Sequence, residues 1–133
     1  MAKLLLIERA NVLKMRLEKL VRKLGYTEIL SYDERALPFD KFYKISGGFD
    51  AILIDVDHCR ERFDIIMNTI RANNKGGMVH TIVLTEKTDA AELTYYITNG
   101  VDDLILKPFK DEAIIKKLSL LFGKLNYQTK YTI

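Results

Sequence analysis

The stretch FDAILIDVDHCRERFD, Phe49 to Asp64, decides the fold. Its run Ala51-Ile52-Leu53-Ile54 is apolar without alternation, as a strand covered on both faces is. The run stops at once on Asp55, Asp57, His58 and Cys59. In an open α/β sheet, ligands collect outside the carboxyl ends of the strands. Asp55 therefore reads either as a reactive carboxylate at the mouth of a site or as a plain strand terminator.

Working outward, three more short apolar runs have the same character: LLLI at 4–7, TIVL at 81–84 and LIL at 104–106. A weaker strand, TEIL, falls at 27–30. Helical periods lie between them. Val12 to Leu24 puts Val12, Met15, Leu17, Leu20, Val21 and Leu24 mostly on one stripe, and Gly25 follows where a helix end favours left-handed geometry. Arg62 to Asn73 carries Phe63, Ile66, Met67 and Ile70 on one face. Ala90 to Thr98 stops at Asn99-Gly100, and Lys110 to Leu125 carries Ile114, Ile115, Leu118, Leu121 and Phe122. Pro38 predicts the start of a short helix that Gly47-Gly48 ends. Five strands alternating with helices predict a parallel sheet covered on both faces, and right-handed crossovers favour a doubly wound order. One domain over 1–125 and a tail or linker over 126–133 are expected.

Composition excludes several classes. With 133 residues the chain holds one core, and 48% apolar with 29% charged residues is ordinary globular usage. The net charge of +3 is mild and its basic residues are interleaved with acids, so nucleic-acid binding by this domain alone is not expected. A single cysteine, Cys59, permits no internal disulfide and fits a reducing cytoplasm. No apolar run approaches the ~18 residues of a membrane span, and MAKLLLIER is no secretory signal. His58 and Cys59 make no zinc pattern and read as loop residues.

In a parallel sheet the carboxyl ends of four strands converge on one rim. Those ends carry Glu8-Arg9, Asp55 with Asp57, Thr85, and Lys107 before Pro108. Acids, a hydroxyl and a lysine on one rim suit phosphoryl chemistry: a carboxylate attacks phosphorus, while cations and hydroxyls stabilise the transferred oxygens.

With Asp55 closing the third strand, Thr85 the fourth and Lys107-Pro108-Phe109 the fifth, residues 3 to 124 resemble the receiver domain of two-component response regulators. The approach NGVDDLILKPFKDEAI is also similar. The resemblance implies a flavodoxin-like, CheY-like five-stranded parallel sheet of order 2-1-3-4-5 with helices on both faces. It implies a phosphorelay signalling module that is not an enzyme. Asp55 would accept a phosphoryl group from a histidine kinase or phosphotransfer protein, Thr85 would hydrogen-bond a phosphoryl oxygen, and Lys107 would pair with the carboxylate or the phosphoryl group. The Lys107-Pro108 bond would be cis. A homodimer or effector contact would use the Ala90–Thr98 helix, the last strand and the last helix, with Tyr95 and Tyr96 divided between core and surface. No membrane partner is implied.

The departures are specific. The family's second acid after the first strand, a magnesium ligand, is here Arg9. Mg2+ held by Glu8, Asp55 and Asp57 is therefore weakened, since magnesium needs near-octahedral oxygen ligands. Counting Glu8, Asp55, Arg9 and Lys107 leaves the pocket neutral, which predicts that Arg9 replaces the ion by pairing with Glu8 or Asp55. Cys59 and Phe63 replace a usual proline and glycine, Leu104 replaces the aromatic switch residue, and Glu86 stands where a small residue is usual. The alternative function is thus a pseudo-receiver, an interaction module that works without phosphorylation. A flavodoxin-like nucleotide site is disfavoured, because the turn after the first strand reads ERANV and holds no glycine-rich loop.

Overall fold

The computed structural model describes residues 3–37, 48–72, 79–87 and 89–120. Five strands form one parallel sheet: β1 (Lys3–Ile7), β2 (Glu28–Tyr32), β3 (Ala51–Asp55), β4 (His80–Thr85) and β5 (Asp103–Leu106), in the order β2-β1-β3-β4-β5. This is the flavodoxin-like order expected from the sequence. Helices α1 (Asn11–Lys23), α2 (Phe63–Ala72), α3 (Ala90–Thr98) and α4 (111–120) connect or follow the strands. Single turns of 3-10 helix occupy Glu34–Ala36 and Arg60–Arg62. The helix predicted from Pro38 and the 126–133 tail lie outside the described residues, as do Leu121 and Phe122. Among the described residues no helix is long and apolar enough to cross a membrane.

The unbroken apolar strands feed two cores because successive side chains alternate between faces. Leu5, Ile7, Ile52, Ile54 and Val83 pack beneath α2 and α3 with Phe63, Ile66, Met67, Ile70 and Tyr96. Leu4, Leu6, Leu53, Ile82, Leu84 and Ile105 pack beneath α1 and α4 with Leu17, Leu20, Val21, Ile114 and Leu118. The α2 stripe is buried as its period predicted. The α1 stripe needs correction: Val12 and Met15 are 84% and 67% exposed, and Leu13 packs against the core instead. In the first turn the buried face is narrower than the apolar pattern.

Tyr96 is buried and Tyr95 half-buried, each meeting Phe63 edge-on. Gly25 and Gly100 end α1 and α3 with φ of 106° and 80°, where any side chain is strained.

Candidate functional site

Register builds the site. Ile7 pairs with Ile54, so the next residues, Glu8 and Asp55, emerge side by side at the top of adjacent strands. Asp55 pairs with Leu84 and Thr85 with Leu106, which sets Thr85 and Lys107 on the same rim. The four expected ends therefore meet.

Lys107 Nζ lies 2.7 Å from Asp55 Oδ2 and 2.7 Å from Asp57 Oδ2, bridging the two carboxylates. Asp55 is buried, and its Oδ1 accepts the Asp57 N–H at 3.0 Å. The Thr85 hydroxyl turns to Asp57. It donates to Asp57 Oδ1 at 3.0 Å and accepts the Lys87 N–H at 3.1 Å. The Glu86 N–H completes the set, 3.2 and 3.1 Å from the two Asp57 oxygens. The Glu86 side chain itself is exposed. The Lys107-Pro108 bond is cis.

These contacts fix the charge states. Burial alone would raise the Asp57 carboxyl, but donors from Lys107, Glu86 and Thr85 outweigh it and hold the group below the usual range. Burial alone would lower Lys107, yet Asp55 and Asp57 keep it above its ordinary value. Glu8 goes the other way. Burial and its hydrogen bond with Asp55 push it up to about 8, although its Oε1 accepts the Ala10 N–H at 3.0 Å. Its Oε2 is buried with no hydrogen-bond partner, surroundings that favour the uncharged carboxylic acid.

The predicted pairing of Arg9 with Glu8 or Asp55 is not what forms. Arg9 Nη2 donates to Glu34 Oε1, in the 3-10 turn beyond β2. Glu34 is buried and must have a cation or donors, and Arg9 is the guanidinium that reaches it. The cation that Asp55 meets is Lys107. Sequence reasoning missed Glu34, yet a signal existed: with β2 beside β1 in the expected order, the residues just past the two strands are neighbours.

Two further arginines close over the site. Arg60 pairs with the buried Glu92 of α3, and Arg62 Nη2 donates to the Glu34 carbonyl at 3.1 Å. Cys59, between them and Asp55, is buried; burial first, then Glu34 and Asp55, push its thiol up to about 12. It stays a protonated loop residue, and His58 is exposed.

The donor set does not fit magnesium as arranged. Asp57 is committed to three donors, Asp55 to Lys107 and an N–H, and Glu8 to the Ala10 N–H. Among the described residues no three His, Cys, Asp or Glu side chains are grouped to hold a metal ion.

No protein-family model matches the chain. The chemotaxis protein CheY1 of Helicobacter pylori strain J99 is 21% identical over 123 residues, covering 91% of this chain and 97% of that protein. A two-component response regulator from Clostridium difficile superposes with a TM-score of 0.76 at 16% identity, over 95% of this chain and 99% of that one. The chemotaxis protein CheY4 of Vibrio cholerae gives 0.74 at 22% identity, over 91% and 98%. The chain thus has the CheY-like receiver fold over nearly its whole length.

Proposed function

We propose that this chain, a CheY-like receiver domain in fold, serves two-component signal transduction with Asp55 as its phosphoryl acceptor. One observation carries the reading: Lys107 bridges the Asp55 and Asp57 carboxylates, and Asp57 also takes the Thr85 hydroxyl and the Glu86 N–H, so these groups meet on one rim. In the transfer, an Asp55 oxygen attacks phosphorus and the bond from phosphorus to the donor's histidine nitrogen breaks. The electron pair stays on the imidazole and an acyl phosphate forms. Lys107 offsets charge on the acceptor and on the transferred oxygens, and the Thr85 hydroxyl and Glu86 N–H would donate to the oxygens that remain.

The donor would be a histidine kinase or phosphotransfer protein. Output would pass through the surface of α3, β5 and α4, where Ile97, Leu106 and Ile115 are 66%, 49% and 39% exposed. Beside it, Leu104, Leu106, Pro108, Phe109 and Ala113 line a largely apolar groove of about 460 Å³.

A second reading, a pseudo-receiver working without phosphorylation, is favoured by the absence of a magnesium-fitting donor set among the described residues. Intact-mass analysis separates the two. Incubation with acetyl phosphate or phosphoramidate, with and without magnesium, is expected to add one phosphoryl group to the wild type and none to Asp55→Asn. No gain from any donor would favour the pseudo-receiver.

A further inference from the structure

Three donors from three places converge on one carboxylate that belongs to neither β4 nor β5. Asp57 takes the Thr85 hydroxyl at 3.0 Å, the Glu86 N–H at 3.1 Å and the Lys107 ammonium at 2.7 Å. Donors so arranged form a nest for an oxyanion, and nothing in their geometry requires that the anion be a side chain. A tetrahedral group carried on Asp55 would have to place its oxygens among the same donors, because Lys107 already spans the Asp55 and Asp57 carboxylates.

We infer that Asp57 is a built-in occupant of this oxyanion nest, holding the segment after β4 in its anion-bound arrangement without phosphorylation. This inference rests on the reading of Asp55 as acceptor only for its regulatory consequence. Phosphorylation would need Asp57 to withdraw, so Asp57 sets a threshold that a donor must overcome. The occupant is well fitted. Its two oxygens receive all three donors, and its own N–H goes to Asp55 Oδ1, so the chain between residues 55 and 57 is drawn into a closed turn. Thr85 has no hydrogen left to donate, since its one hydroxyl proton goes to Asp57. Glu86 and Lys87 are tied through their N–H groups to Asp57 and Thr85, so the anion reaches the start of the connection to α3.

The test compares wild type, Asp57→Asn and Asp57→Ala in two measurements. In 15N–1H spectra, Asp57→Ala should shift the Glu86 and Lys87 amide signals well beyond the change at remote amides, with Asp57→Asn intermediate because it keeps an acceptor oxygen. Unmoved Glu86 and Lys87 signals in Asp57→Ala would overturn the inference, whatever Asp55 does. In the second measurement, acetyl phosphate should modify Asp57→Ala at least about tenfold faster than wild type, the equivalent of about 1.4 kcal/mol of barrier. Equal rates would overturn the threshold. Should neither protein gain a phosphoryl group while the amide signals move, the acceptor reading fails and the occupied nest stands.

Discussion

Two ends of one rim treat the same functional group in opposite ways. At the β1 end, Glu8 is buried beside Asp55 and its neighbouring guanidinium has gone to Glu34, so the carboxyl keeps its proton to about pH 8. At the β4 end, Asp57 is also drawn out of water, but three donors face it and it stays ionised below the usual range. Burial is common to both; donors decide the outcome. An acid's place at a strand end does not tell its charge. The count of N–H and O–H groups aimed at it does.

Lys107→Met breaks the comparison most severely. Asp55 and Asp57 lose the cation they share, and a buried pair stripped of one partner costs about 3–5 kcal/mol. Urea titration should show that loss; a change below about 1 kcal/mol would mean that solvent already screens the pair.

The β1 end makes a pH prediction with a definite sign. Between 4.5 and about 8 the folded chain keeps the Glu8 proton that the unfolded chain releases. The folded state then binds more protons, so Glu8 makes stability fall as pH rises through that window, by up to about 1.4 kcal/mol per pH unit. Asp57 has the reverse sign: its contribution is complete above 3.8 and is lost as pH falls below it. Glu8→Gln should remove the fall between pH 5 and 8, and a wild type already flat there would contradict a protonated Glu8.

Smaller effects sharpen the contrast. Glu34→Gln keeps the shape but removes the charge that Arg9 meets, and should cost about 2 kcal/mol of unfolding free energy. If Arg9 then swings to Asp55, the loss will be smaller and the Glu8 slope will shrink with it. Smallest of all, Val12→Ser or Met15→Gln on the exposed face of α1 should change stability by less than about 0.5 kcal/mol.

The fold was legible because strands covered on both faces must be apolar throughout, and helices covered on one must repeat near 3.6 residues. Ile52, Leu53 and Ile54, with Phe63, Ile66, Met67 and Ile70, state this without ambiguity. The rim was legible as an assembly, since parallel register carries Asp55, Thr85 and Lys107 to one edge. What escaped was pairing. Arg9 has a long side chain that reaches several acids, and its choice of Glu34 depends on a 3-10 turn within the least regular stretch of sequence. Asp57 escaped for a similar reason. Two residues past a strand, its direction depends on the turn that its own N–H makes with Asp55.

The turn Arg60–Arg62 spans the top of the molecule like a crossbeam. Arg60 bolts it to Glu92 on α3, and Arg62 bolts it to the Glu34 carbonyl beyond β2. Glu34 also takes the Arg9 guanidinium, so one buried residue beyond β2 collects side chains from the connections that follow β1 and β3. Polar contacts thus run from α3 to the turn beyond β2 above the strands, separate from the hydrophobic interior.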